Sequence, residues 1–355
     1  MIQVLHLNLS LTRILTSMLF KNRKNILLIF VLLVASPVWA GLYFGMGKAA
    51  ASKSAQLIDK ALDSTTAGSN ASGVYYNLTV AVSTVNNTSG AGSITSSPSG
   101  INCNLTGGVC SAYFRGGSQI VLTATPVAGS TFVGWSGGCS GTSPCLLTLN
   151  SNTTVNGNLC TPHGQLTCPS AFCPYLATKY TFVACSNSVT AQVWGAGGNG
   201  GTSFGGYPYG GGGGGGGYGS QILSVVLGSS YTIMAGYGGD SVDPSSFDRG
   251  PTKLISASSG QNGSNGYWSL PSVTGDGSGG AGGTSSATVN ISGGNGQNGN
   301  GTNGGAGGSG GNGGAGGSGA IGSGQGTNGI FPSGGGGGGG SNGSKGANGQ
   351  VIITW

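Results

Sequence analysis

From Gly195 to Gly349 the chain places 60 of its 79 glycines, and between Gly304 and Gly319 they fall into a strict three-residue repeat, GGA GGS GGN GGA GGS G. Such a stretch cannot fold around an apolar core of its own, because glycine brings no side chain and loses more backbone freedom on ordering than any other residue. Period three is the repeat of an extended left-handed helix rising about 3.1 Å per residue. Collagen shares that period but needs imino acids, and no proline occurs between Pro271 and Pro332. The alternative is polyglycine-II packing, in which extended helices lie side by side and hydrogen-bond backbone to backbone. Two faces of each helix are then bare, and Ala, Ser and Asn occupy the third. Backbone hydrogen bonds of about 1 kcal/mol each must nearly offset an ordering cost of about 1–2 kcal/mol per residue. The bundle therefore requires several segments together, with Gly210 to Gly217 and Gly334 to Gly340 suited to its most crowded positions. Strand-like runs frame the tract: Val189-Thr-Ala-Gln-Val-Trp enters it, Gln221-Ile-Leu-Ser-Val-Val-Leu and Tyr231-Thr-Ile-Met-Ala interrupt it, and Val351-Ile-Ile-Thr-Trp closes it. A flexible linker has no reason to carry such a collar.

Charge and catalytic residues are scarce. Only 5% of the 355 residues are charged; there is no Glu, there are six Asp, and of two His only His163 lies outside the N-terminal leader. Catalysis is disfavoured on these grounds, and no cofactor or metal is expected. The formal charge of +6 falls to +2 once Arg13, Lys21, Arg23 and Lys24 of the leader are set aside, leaving eight basic against six acidic side chains. That balance gives no electrostatic case for nucleic acid. Gly134-Trp-Ser-Gly-Gly and Gly307-Gly-Ser-Gly-Gly fit the nucleophile-elbow spacing, but neither is set between a strand and a helix, as that chemistry requires. Asp240, Asp243 and Asp248 fall in one loop without the spacing of a calcium motif, so they read as solvated carboxylates. Trp355 ends the chain as an aromatic residue ends an outer-membrane barrel strand, but the many ten-residue alternating segments of a barrel are missing.

Lys21, Arg23 and Lys24 precede an apolar run from Ile26 to Ala35, then Ser36, Pro37, Val38 and Ala40. This is the pattern of a secretory signal peptide over residues 1–40, cleaved after Ala40. Translation from Met18 would give a more typical start, and an uncleaved anchor through Gly47 is the competing reading; in that case the leader alone touches membrane. Residues 41–73 form a spacer and linker, with Leu57, Ile58, Ala61 and Leu62 on one face of a short amphipathic helix. Eight cysteines, Cys103, Cys110, Cys139, Cys145, Cys160, Cys168, Cys173 and Cys185, lie in one window behind the leader. An even number behind an export signal reads as disulfides, and the spacings contain no CxxC pair for zinc.

Between residues 74 and 158 short alternating runs, Leu78-Thr-Val-Ala-Val-Ser, Ile120-Val-Leu-Thr-Ala-Thr and Leu146-Leu-Thr-Leu, are separated by Gly, Ser, Pro and Asn turns. They predict a small all-β domain in which Val121, Phe132 and Trp135 supply core surface. The segments VSTVNNTSGAGSITSSPSGINC, CSAYFRGGSQIVLTATPVAGSTFVGWSGGCSGTSPC and LLTLNSNTTVNGNL resemble, in order, the bacterial repeat or divergent internalin-B-type B-repeat family. The resemblance implies a secreted or cell-surface spacer or interaction module. Cys103 with Cys110 and Cys139 with Cys145 are expected to close two short loops. Residues 159–187 read as a cysteine-rich hinge, and the pairing of Cys160, Cys168, Cys173 and Cys185 stays open among three possibilities.

Residues 188–355 carry Val193-Trp-Gly-Ala-Gly-Gly, Gly217-Tyr-Gly, Tyr231-Thr-Ile-Met-Ala-Gly and a closing Val351-Ile-Ile-Thr-Trp. This half resembles glycine-rich domains of bacterial surface proteins and of the receptor-binding tips of phage tail fibres. The fold class expected is mainly β: a stapled repeat domain, then a glycine-rich domain with a β collar and polyglycine-II-like helices. Ligand contacts are expected where the repeats break and large side chains emerge: Phe204, Tyr207 and Tyr209; Tyr267, Trp268 and Leu270; Ile330 and Phe331. Rings among Asn, Ser and Gly suit a glycan or a protein surface. The expectation is an exported, non-enzymatic, adhesin-like binding protein. A self-associating envelope or matrix component is the alternative.

Overall fold

A computed structural model describes residues 73–168, 179–203, 209–239, 244–269, 273–322, 324–339 and 342–355. The expected signal peptide, the helical spacer and Cys173 lie outside those residues. Among the described residues the regular secondary structure is β-strand, and none of them forms an α-helix.

Nine strands build the first domain: β1 (Tyr75–Thr84), β2 (Gly92–Ser97), β3 (Asn102–Asn104), β4 (Gly107–Val109), β5 (Ser111–Arg115), β6 (Gln119–Pro126), β7 (Thr131–Gly137), β8 (Cys145–Thr148) and β9 (Thr153–Cys160). Alternation shapes them: β5 buries Ala112 and Phe114 and exposes the residues between and around them, and β8 buries Cys145 and Leu147. One sheet runs β5-β1-β9-β7 and the other β4-β3-β2-β6-β8. The first and last strands, β1 and β9, pair in parallel with Leu78 opposite Thr153. Leu78 and Val80 of one sheet and Ile94, Ile120 and Leu122 of the other share a core with Trp135. Val121, predicted as core, pairs with Ser97 and Leu146, on the face opposite its buried neighbours Ile120 and Leu122. Disulfides join Cys103 to Cys110 and Cys139 to Cys145, as expected.

The second part contains β10 (Gln165–Cys168), β11 (Tyr180–Val183), β12 (Ser188–Trp194), β13 (Tyr218–Ser224), β14 (Ser230–Met234), β15 (Ser245–Arg249), β16 (Thr252–Ala257), β17 (Tyr267–Ser269), β18 (Val273–Gly275), β19 (Val289–Ile291) and β20 (Gln350–Thr354). Its collar is a five-stranded sheet, β10-β20-β12-β13-β19, and a four-stranded sheet, β11-β14-β15-β16; β17 and β18 form a separate hairpin. Phe182, Tyr231, Phe247, Val193, Val351 and Ile353 meet in the collar core, with Tyr231 stacked on Phe247 at 5.2 Å.

The described parts of the segment expected to be a hinge, residues 159–168 and 179–187, are built into this collar. β10 pairs with β20, β11 pairs with β14, and a disulfide joins Cys160 to Cys185. Cys168 is also disulfide-bonded. The physical reason is the apolar alternation of Leu166 and Cys168, and of Phe182 and Ala184, all of which are buried. Val133 and Cys160 of the repeat domain enter the same core, so the halves share an apolar seam. At that seam Gly228, with φ +74°, lies where a Cβ would come 2.0 Å from the Val133 carbonyl oxygen, and only glycine fits.

Around the collar the glycine tract organises through its backbone. Amides of Gly210, Gly213 and Gly216 donate to the carbonyls of Gly339, Gly336 and Ser333. Those of Gly211, Gly214 and Gly217 donate to Ser264, Gln261 and Ser258, and those of Gly212 and Gly215 to Gln297 and Gly294. In return the carbonyls along Tyr209 to Gly217 accept from segments 195–201, 277–283 and 305–311. One extended segment thus touches six others, and each neighbour is met at every third residue. Gly210 to Gly217 are all buried, whereas in the regular repeat Ser309, Asn312, Ala315 and Ser318 are exposed at every third position.

Asparagine closes the rim of this array. An outer segment lacks a neighbour for one amide in three, and a buried orphan amide is costly. The Oδ1 of Asn262 and Asn265 accepts from the amides of Asn199 and Thr202 at 2.7 and 2.8 Å, and the Oδ1 of Asn298 and Asn295 accepts from Gly279 and Gly282 at 2.8 and 2.9 Å. Each pair repeats the three-residue step. Replacing Asn262 or Asn295 by alanine is expected to destabilise the chain by about 1 kcal/mol each, read as a shift in the denaturant midpoint, whereas Ser318→Ala, at an exposed position of the same repeat where Ala315 already stands one step earlier, is expected to leave it unchanged.

Candidate functional site

A cleft of about 320 Å³ opens where the Gly-rich segments meet the end of β14, lined by Tyr237, Gly238, Asn328, Gly329, Phe331, Lys345, Gly346, Ala347 and Asn348. Tyr237 follows β14 by three residues, and Phe331 interrupts the glycine run before Gly334. Both rings are partly exposed, at 42% and 44%. The two asparagines are fixed by the backbone: Asn348 Oδ1 accepts from the Gly238 amide at 2.7 Å, and Asn328 Oδ1 accepts from the Lys345 amide at 3.0 Å. The wall's own carbonyls are also engaged. Lys345 O accepts from Gly329, Ala347 O from Gly197 and Asn348 O from Ser333. Side-chain groups facing this cleft therefore sit on a backbone that is bonded at both ends. Lys345 is exposed, and no acidic residue is among those lining the cleft.

Of the residues expected to bind, Phe331 lies in this cleft and Ile330 is beside it, 59% exposed. Tyr267 is exposed on the separate hairpin β17–β18. Tyr209 is a correction: it is fully buried, because it begins the central extended segment, with its amide donating to Asp276 Oδ1 at 3.3 Å and its carbonyl accepting from Gly277. It cannot meet a ligand at the surface. Phe204, Tyr207 and Leu270 lie outside the described residues, as does the side chain of Trp268. Sequence reasoning missed Tyr237 and Lys345. Both carried a signal: Tyr237 breaks a Gly-Tyr-Gly-Gly run, and Lys345 is the only charged side chain after Asp276.

The remaining chemistry-bearing residues have structural settings. Ser136 lies on β7, and Ser309 accepts a backbone bond from Gly294 inside the array. His163 is exposed in a loop. Among the described residues no group of three His, Cys, Asp or Glu is placed to hold a metal ion. Asp240 and Asp243 lie outside those residues. Asp248, expected to be a solvated loop carboxylate, is instead half-buried on β15, because β15 is an inner strand of its sheet. Burial raises its pKa above the ordinary carboxylate value, opposed by the hydrogen bond from Ser246 Oγ at 2.9 Å and by Lys253 and Lys179. A carboxylate with a raised folded-state pKa contributes stability below its ordinary pKa and loses it as pH rises through the raised value. Acidification through that range is expected to stabilise the chain, and Asp248→Asn to remove that gain, in thermal melts across the pH series.

The described architecture is that of a two-part β protein: a disulfide-stapled sandwich joined to a collar that carries a glycine-rich array. Residues 79–159 match the family model described as the divergent InlB B-repeat domain. The sandwich is a domain of that family, bounded in the structure by β1 and β9, and it is consistent with a surface-associated bacterial protein. No curated protein matches the chain.

Proposed function

We propose that the chain is an exported, cell-surface binding protein of adhesin type, which recognises a glycan or protein surface without catalysing a reaction. On this reading the leader directs export, the B-repeat domain is a spacer or interaction module, and the glycine-rich half is a polyglycine-II-like mount for the cleft. The mount is supported by the three-residue hydrogen-bond step around Gly210 to Gly217. The observation that carries the binding role is the cleft itself: two part-exposed rings and two fixed carboxamides, gathered where the glycine repeats break. Its size falls at the small end of ligand sites, which suits a single sugar ring or a short loop. Stacking on a ring face supplies affinity without charge, in keeping with so neutral a chain.

The test is saturable binding of the purified chain to a glycan panel and to cells, with Tyr237→Ala and Phe331→Ala alongside and the mass in solution recorded. A monomer whose binding is lost in both variants is the expected result. Self-association is the second reading, favoured by exposed Ile222, Ile321, Val289 and Ile291. Concentration-dependent assembly without any saturable ligand would establish that reading and end the adhesin one.

A further inference from the structure

The charged groups of the cleft are one-sided: Lys345 lines it and no carboxylate does. Asn328 Oδ1, Asn348 Oδ1 and the carbonyls of Lys345, Ala347 and Asn348 accept bonds from backbone amides. With each carboxamide oxygen committed, the NH2 ends of Asn328 and Asn348 are turned away from those amides and are left to donate. Lys345 adds an ammonium, which is a donor and nothing else. Tyr237 and Phe331 supply ring faces, and no carboxylate lines the site to compete for the ammonium. A site with one cation, two carboxamide NH2 groups and no carboxylate offers its donors to a charged acceptor. It favours a ligand that accepts and is negatively charged, and charge-assisted hydrogen bonds are about twice as strong as neutral ones. In a chain that is 5% charged and carries no other charged side chain beyond Asp276, the position of Lys345 in this wall is the strongest electrostatic feature of the site.

We propose that the cleft binds an acidic sugar residue, with the ring against Tyr237 or Phe331 and its anionic group held by Lys345 and the carboxamide NH2 groups of Asn328 and Asn348. The proposal rests on the binding reading above and deepens it. A carboxylate and a sulfate ester present the same chemistry, so the probes separate them.

Binding of the full chain would be measured by calorimetry to sialyllactose and to a glucuronic-acid-terminated disaccharide, with lactose and cellobiose as neutral counterparts and lactose sulfate as the third anion. The variants are Lys345→Gln and Phe331→Ala, each with its melting temperature recorded. At least one acidic probe is expected to bind about tenfold or more tightly than its neutral counterpart, to lose about that factor in Lys345→Gln, and to weaken with added salt. Binding of lactose sulfate alone would name the sulfate as the source and keep the proposal. Equal binding of neutral and acidic probes, abolished only by Phe331→Ala, would overturn the acidic specificity while the binding reading stands. Absence of binding to any probe by a folded chain overturns the proposal, and the broader cell-binding test then decides the binding reading separately.

Discussion

Gly213→Ala is expected to abolish folding of the glycine-rich half. A Cβ at Gly213 would lie 2.1 Å from the Gly198 carbonyl oxygen, 2.5 Å from its carbon and 2.6 Å from the Asn199 oxygen. All three are backbone atoms, so no rotamer change makes room, and segment 195–201 would have to retreat by about 1 Å to reach ordinary contact. That segment is bonded to the central one at Gly195, Gly198 and Gly201, whose amides donate to Gly217, Gly214 and Gly211. Moving it strains or breaks those bonds, at about 1 kcal/mol for each one lost and about 1–3 kcal/mol for each group left buried without a partner. The sum rivals a typical domain stability of about 5–15 kcal/mol. Gly294→Ala is the control, because its Cβ would come no closer than 3.1 Å to its nearest neighbour, the Ser309 hydroxyl. Calorimetric unfolding distinguishes them: the control retains the wild-type transition to within about 1 kcal/mol, and Gly213→Ala lacks the transition of the glycine-rich half. A Gly213→Ala variant that melts like wild type would falsify the close-packed arrangement around this segment.

Legibility in the sequence followed the physics of each part. The B-repeat sandwich was readable because a period of two in runs such as Ile120 to Thr125 fixes which side chains face the core, and because two cysteine pairs close short loops. The collar strands around Val189 and Val351 were readable for the same reason. The two strands within residues 159–187 are not legible locally, because Gln165–Cys168 and Tyr180–Val183 are only four residues each, and the partners that make them strands, β20 and β14, are distant in sequence. Tyr209 reads as a surface ring because a ring beside a glycine run looks the same whether the run is central or peripheral. Centrality depends on six other segments, and none of them is local. The cleft brings Tyr237 to residues about a hundred positions later, a juxtaposition no local pattern encodes. The rim asparagines fall between these cases, since their spacing of three is in the sequence but the amides they accept are not.

Trp355→Ala is expected to cost about 3–5 kcal/mol, as truncation of a buried large aromatic does. The residue is 9% exposed, its ring lies 5.3 Å from that of Phe182, and its Nε1 donates to the Thr161 carbonyl at 3.0 Å. Its amide and carbonyl exchange hydrogen bonds with Gly164, both at 3.0 Å, and a Cβ at Gly164 would press into the indole at 2.5 Å. Trp355 therefore clamps the chain that leaves the sandwich at Cys160 onto the collar core, and extends β20, which lies between β10 and β12. The lesion has two parts that a second variant separates. Trp355→Phe keeps an aromatic ring against Phe182 and loses the Nε1 bond, so its cost is expected to be about 1–2 kcal/mol with Thr161 losing its donor. Denaturant unfolding at constant slope measures both. Equal losses in the two variants would show that the indole nitrogen, and not ring burial, holds the connection; no loss in either would show that the disulfide between Cys160 and Cys185 holds it alone. The expected order, a large loss for alanine and a small one for phenylalanine, follows from an apolar seam in which Val133, Phe182 and the terminal indole are packed as one core.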